Sequence, residues 1–211
     1  MQLEDYLDQV ASKNPAPGGG SIAALAGVFT TALISKLCNL TIGREKYKEH
    51  EETLKEILAD SESLKKDLMT LVEEDIIAYN LVVEIGKLYR KSNKAQDDDV
   101  KELKIKYDEA LKYASDIPFK VMELSFKNLK NLKNLIKICN QNALSDAGVA
   151  LYMALSSIYG AAFNVTVNLK ELSDEDYCNK IMNGAEDIDF KTEKLETEIM
   201  EYVIDNLVCN H

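Results

Sequence analysis

From Glu45 to Lys91 the chain repeats apolar residues at spacings of three and four: Leu54, Ile57, Leu58, Leu64, Leu68, Leu71, Val72, Ile76, Tyr79, Val83 and Leu88. That period belongs to one face of an α-helix, and a strand, whose side chains alternate with period two, cannot use it. At 1.5 Å per residue the segment would reach about 70 Å, so a break within it is expected. Turn residues are scarce elsewhere too, with three Pro and nine Gly in 211 residues. A sandwich or barrel of this length would need many more. The hydrophobic share of 46% and charged share of 29% suit a soluble globular chain and exclude a disordered one.

The remaining segments are helical as well. Leu3, Leu7 and Val10 give a short opening helix that ends before Pro15-Ala16-Pro17-Gly18-Gly19-Gly20. A second helix, capped by Ser21, runs through Leu25, Phe29 and Leu33 to about Ile42, with Gly43 as its stop. It is apolar nearly all round, so it is enclosed on several sides or shared with a second subunit. Its most apolar stretch, Ser21 to Ser35, is too short to span a bilayer. Asn93 to Asp99 reads as a loop, followed by a helix through Leu103, Tyr107 and Leu111. Asp116-Ile117-Pro118 reads as a restart, with Asp116 as cap and Pro118 in the first turn. Ser145-Asp146 opens another small-residue helix as far as Asn168, and an acidic amphipathic segment follows from about Ser173. The expectation is an all-α fold, one domain over 1–211, built as a bundle of long antiparallel helices.

Charge and cysteine narrow the functional classes. A net charge of −11 argues against nucleic acid as a partner, since phosphate neutralisation needs a basic surface. Cys38, Cys139, Cys178 and Cys209 are scattered with no C-x-x-C pair, which suits buried thiols in a reducing compartment. The acidic N-terminus lacks the basic start of a signal peptide, so a cytoplasmic location without membrane attachment is expected. His50 lies in a charged run and His211 is the last residue, which leaves no histidine for a catalytic triad or a metal site.

Three features carry possible chemistry. Gly18-Gly19-Gly20-Ser21 ahead of a helix leaves backbone N–H groups open to an anion at the positive end of the helix dipole; it also suits a plain tight turn. Asp75 sits beside the apolar face of the long helix, with Tyr79 one turn on. Asn142, Asp146, Asn164 and Asn168 sit within or next to the second small-residue helix. Asp146 and Asn164 are 18 residues apart, five full turns, and share a face. Capping by Asp146 and interhelical hydrogen bonds from the asparagines would explain them without any ligand. Arg44 and Lys46 are either surface charge or a basic rim for an acidic ligand.

In order and spacing these pieces resemble one family. Pro15 to Leu25 and Leu40 to Tyr47 look like the opening of the cyclodeaminase/cyclohydrolase family of folate enzymes. Asp75 with Ala78-Tyr79 is similar to its central Asp-x-x-Ala-Tyr/Phe element, and Asn142, Ser145-Asp146, Val149-Ala150 and Gly160 to Val165 resemble its later segment. The similarity covers residues 3 to about 170.

The resemblance implies a homodimer that acts on the one-carbon unit bridging N5 and N10 of tetrahydrofolate, with the folate as substrate and no further cofactor. One family activity hydrolyses 5,10-methenyltetrahydrofolate to 10-formyltetrahydrofolate. The other cyclises 5-formiminotetrahydrofolate and releases ammonia, usually beside a formiminotransferase domain. This chain has no room for that domain, which tilts the expectation towards the cyclohydrolase; a non-catalytic folate-binding bundle is a third reading. The methenyl carbon is already electrophilic, so a positioned water and a base suffice without a metal. Asp75 and Asp146 are the candidate catalytic groups, either of them the base. Asn142 and Asn164, with Tyr79, would hold the pterin or the tetrahedral intermediate. Gly18 to Ser21 and Arg44 or Lys46 would receive the anionic benzoylglutamate tail.

Overall fold

A computed structural model describes residues 2–95 and 99–208. Six α-helices carry the fold: α1 (Leu3–Val10), α2 (Gly19–Asn39), α3 (Glu51–Ala95), α4 (Val100–Leu135), α5 (Leu144–Leu169) and α6 (Glu175–Val208). Short 3-10 turns at Glu45–His50 and Gln141–Ala143 lead into α3 and α5. No strand occurs among the described residues. The all-α bundle read from the sequence is therefore the observed fold.

Side-chain pairs fix the packing register. Ser35 Oγ donates to Glu62 at 3.0 Å and Lys127 meets Asp60 at 3.2 Å, which sets α2 and α4 antiparallel to α3. Ser157 Oγ donates to the Ala23 carbonyl at 2.7 Å and lies 2.7 Å from Ser125 Oγ, which ties α5 to α2 and α4. Phe119 packs on Gly184 and Lys133 pairs with Glu198, so α6 runs parallel to α4. The core between these helices is filled by Ile34, Leu37, Leu68, Met122, Leu129, Leu132, Leu151 and Ile158, all fully buried. Each such side chain removed from water contributes roughly 1.5–3 kcal/mol.

α2 lies at the centre, against α3, α4 and α5. Its small residues make that possible. A Cβ on Gly27 would lie 2.9 Å from Ser125 Oγ, 3.0 Å from Ser157 Oγ and 3.1 Å from Leu68 Cδ1. The helix is enclosed on several sides within the one chain, while Ile22 and Phe29 stay exposed. Its 21 residues, like the segment 141–169, are in fact long and apolar enough to cross a membrane. Ala23, Ala24, Ile34 and Leu37 are instead buried in the bundle.

Several boundaries differ from the sequence reading. The break expected in the long segment falls at its entrance, in the 3-10 turn, and α3 then runs unbroken for 45 residues. Its continuation to Ala95 takes the first three residues of the expected Asn93–Asp99 loop into the helix; residues 96–98 lie outside the described residues. Gly18, not Ser21, is the N-cap of α2, and the helix ends at Asn39 before a turn in which Gly43 adopts φ +79°. Asp174 caps α6, accepting from the Tyr177 N–H at 3.0 Å. Asp116 caps nothing, because α4 passes straight through Pro118. Pro118 has no N–H for the Ala114 carbonyl, and the side chain of Asn168 supplies the missing donor at 2.5 Å.

Candidate active site

The N-terminus of α2 points at the middle of α3. Gly18 caps the helix in extended backbone, and the Ser21 hydroxyl turns back on it, accepting from Gly18 N–H at 3.2 Å and donating to its carbonyl at 3.0 Å. Ser21 is thereby fully buried, its side chain is spent on the turn, and it is not among the residues lining the cavity at this helix end. Its backbone N–H, one of the donors a helix N-terminus leaves free, hydrogen-bonds the Asp75 carboxylate.

Asp75 lies so close to α2 that only glycine fits opposite it. A Cβ on Gly20 would come within 2.1 Å of Asp75 Oδ1. Burial raises the Asp75 pKa, and the hydrogen bond from Ser21 offsets this only in part. A desolvated carboxylate is thus aimed at a helix terminus that favours its charge.

Around this pair is a cavity of about 330 Å3, lined by Gly18, Gly19 and Gly20 from α2 and its cap, Asp75, Tyr79 and Arg90 from α3, Tyr107 and Ala114 from α4, and Asn164, Asn168 and Glu171 from α5 and its end. Asn164 Nδ2 donates to the Gly160 carbonyl at 2.8 Å, and a Cβ on Gly19 would sit 3.7 Å from it. The far end of the cavity is built around Tyr107. Its hydroxyl donates to Glu171 Oε2 at 2.5 Å and accepts from Arg90, and its ring stacks on Tyr89 with centroids 5.7 Å apart. Gly86 makes room for that ring, since a Cβ there would lie 2.9 Å from Tyr107 Cε2. Burial and the Glu171 contact raise the Tyr107 pKa, so the phenol stays protonated and holds Glu171. Asp75 and Arg90 are separated by 15 residues of one helix, about 22 Å, which suits an elongated ligand with a cationic head and an anionic tail.

Gly18, Gly19, Gly20, Asp75, Tyr79 and Asn164 are brought together in this one cavity. Asp146, Asn142, Arg44 and Lys46 are not. They lie at the opposite end of α2, where Lys36 Nζ meets Asp146 Oδ2 at 2.8 Å. Asn142 is exposed in the 3-10 turn, Arg44 is exposed, and exposed Lys46 rests over the Tyr47 ring at 5.2 Å. The discrepancy is one of distance along an axis. Eighteen residues put Asp146 and Asn164 on one face but about 27 Å apart, so no single cavity in one chain holds both.

Arg90, Tyr107 and Glu171 had no signal in the sequence. Each comes from a different part of the chain, and only the packing of α3, α4 and α5 makes them neighbours. Asn168 had a signal, as a polar residue one turn beyond Asn164 on an apolar helix. Among the described residues no group of three or more His, Cys, Asp or Glu is arranged to hold a metal ion.

Known proteins bear on this arrangement. The model of the formiminotransferase-cyclodeaminase family matches residues 2–187. A methenyltetrahydrofolate cyclohydrolase from Methylorubrum extorquens is 35% identical over 201 residues, 95% of each chain. A formimidoyltransferase-cyclodeaminase from Mus musculus is 29% identical over 178 residues, which are 84% of this chain but 32% of that one. The chain therefore spans about a third of the length of that relative. Among solved structures, formiminotetrahydrofolate cyclodeaminase from Thermotoga maritima superposes with a TM-score of 0.87 at 24% identity and covers 98% of both chains, a likeness of fold. With its matched residues running from α1 into α6, the chain belongs to the formiminotransferase-cyclodeaminase family.

Proposed function

We propose that this chain is a methenyltetrahydrofolate cyclohydrolase and that Asp75 is its general base. The observation that carries this reading is the Asp75 carboxylate, packed on Gly20 and held by the Ser21 N–H at one end of a cavity whose other end carries Arg90. The 35% identity to a cyclohydrolase over nearly the whole chain supports the same reaction.

The methenyl bridge is a cation, so the half-buried Asp75 carboxylate both attracts it and orients a water towards its carbon. As the water oxygen bonds to that carbon, Asp75 takes one proton, leaving a hydroxyl on the carbon between N5 and N10. The carbon–N5 bond then breaks as the carbonyl forms. Asp75 returns its proton to N5, the hydroxyl proton leaves to solvent, and the formyl group stays on N10. A raised pKa suits this two-way role, because a more acidic carboxyl would be a weaker base towards the water and would not hold the proton until N5 receives it. Tyr79 and Asn164 would hold the pterin, and Arg90, in place of Arg44 or Lys46, would meet the carboxylates of the glutamate tail.

The 29% identity to a formimidoyltransferase-cyclodeaminase supports a second reading, in which the protonated Asp75 assists departure of ammonia as N10 closes on the formimino carbon. The assay that separates the readings follows absorbance of methenyltetrahydrofolate with purified protein against its spontaneous hydrolysis, and then offers 5-formiminotetrahydrofolate at equal concentration. Saturable folate binding without either turnover would mark a non-catalytic binder.

The chain also suits a homodimer. Ile22 and Phe29 of α2, with Val149, Tyr152, Phe163 and Val167 of α5, are exposed; Phe163 is 73% open to solvent. Apolar side chains presented together on two helices suit burial against a second copy. Light scattering at micromolar concentration tests this, and a monomer would refute it. Cys38 and Cys139, free and fully buried, suit a reducing cytoplasmic setting.

A further inference from the structure

Pro118 breaks the hydrogen-bond ladder of α4 at the wall of the cavity. Its nitrogen carries no proton, so the Ala114 carbonyl, four residues earlier, has no helical donor. Asn168 reaches across from α5 and donates Nδ2 to that carbonyl at 2.5 Å, and Ala114 and Asn168 both line the cavity. This contact decides which way the amide is turned. A carbonyl accepts only, so the NH2 end must face it, and the acceptor left for a ligand is Oδ1, beside the second N–H of the amide.

Asn164, one turn earlier on the same helix, is turned in the same sense, because its Nδ2 is engaged by the Gly160 carbonyl at 2.8 Å. The α5 wall therefore carries two amides one helical turn apart, each with Nδ2 engaged and Oδ1 without a partner among the described residues, lining a cavity that also holds the Asp75 and Glu171 carboxylates. Acceptors in such number select a ligand edge made of donors. A 2-amino-4-oxo-pyrimidine ring has that edge, with its amino group beside a ring N–H.

We propose that Asn168 is a ligand-binding residue whose amide oxygen accepts from the N–H edge of the bound heterocycle, and that Pro118 is the positioning residue that fixes it by freeing the Ala114 carbonyl. The inference rests on the folate reading above. The competing explanation is that Asn168 only satisfies the orphaned carbonyl.

Two substitutions separate them, because Pro118→Ala restores the missing N–H inside α4. Asn168→Ala should lower the melting temperature, since a buried carbonyl loses its donor, and raise KM for methenyltetrahydrofolate roughly tenfold with kcat changed less than about twofold. In Pro118→Ala/Asn168→Ala the restored backbone N–H takes over the carbonyl, so the melting temperature should recover while KM stays raised. The dissociation constant of 5-formyltetrahydrofolate, measured by calorimetry on the same proteins, should follow KM. A doubly substituted protein whose KM and dissociation constant return to within about twofold of wild type would overturn the proposal. So would values that simply track the melting temperature across the variants. Wild-type protein that binds the folate but turns over neither substrate would fail the activity reading and leave the binding comparison intact; wild-type protein that binds no folate would overturn this inference too.

Discussion

Gly20 and Asp75 are packed so closely that a Cβ on the glycine would stand 2.1 Å from the carboxylate oxygen Oδ1. The contact joins the first turn of α2 to the middle of α3, and it is what holds a charged group at the mouth of a helix dipole. Glycine is required here by space and not by a special backbone angle. Gly20→Ala should therefore displace Asp75 and lower turnover of methenyltetrahydrofolate by tenfold or more. Gly19→Ala is the control: its added carbon would meet Asn164 Nδ2 at an ordinary 3.7 Å, and turnover should stay within about threefold of wild type.

Asp75→Asn should separate activity from stability. Loss of the base should lower turnover by about two to four orders of magnitude. Burial raises the folded-state pKa of Asp75, so this group stabilises the fold below its unfolded pKa and loses that contribution as pH rises through the folded value. Above the folded value the wild type carries a charged carboxylate against its desolvation, and Asn removes that cost. Melting curves at pH 7 should show Asp75→Asn at least as stable as wild type, with the difference vanishing below about pH 4. The acid limb of the wild-type kcat/KM profile should lie above the ordinary carboxylate range for the same reason.

Asp146 pairs with Lys36 at 2.8 Å, half-exposed and at the far end of α2 from the cavity. A pair of that kind contributes about 1 kcal/mol or less. Asp146→Asn should change turnover less than about threefold and barely move the melt. A hundredfold loss of turnover with an unchanged melt would instead mean that the α5 end of a second copy reaches the site.

Arg90 is the cation lining the cavity, and it is held by the Tyr107 hydroxyl, which in turn holds Glu171. Arg90→Ala should raise KM for methenyltetrahydrofolate roughly tenfold and leave kcat near wild type, because the tail it would bind is remote from the reacting carbon. Initial-rate kinetics over a range of substrate concentrations separates the two parameters.

The helices are legible because their period is local, and the 3-residue and 4-residue spacing along α3 needs no knowledge of its neighbours. Pro118 misleads for the complementary reason. Within its own segment it looks like a helix start, and what keeps α4 continuous is an amide donor 50 residues further on in α5, outside any local window. The glycine run and Asp75 are each visible, but their contact is not, since it depends on the antiparallel register of α2 and α3. Helical phase places Asp146 and Asn164 on one face while saying nothing of the length between them. The Arg90, Tyr107 and Glu171 end of the cavity is made entirely by tertiary packing.

The role of Asp75 is tested most directly by one rate comparison: hydrolysis of 5,10-methenyltetrahydrofolate by the wild-type chain and by Asp75→Asn at the same pH, each corrected for spontaneous hydrolysis and checked for folding by its melt. Wild type should turn over well above the spontaneous rate, and Asp75→Asn should lose a hundredfold or more while melting no lower. Asp75→Asn turnover within about threefold of wild type, or a wild-type rate no faster than the spontaneous one, would contradict that role.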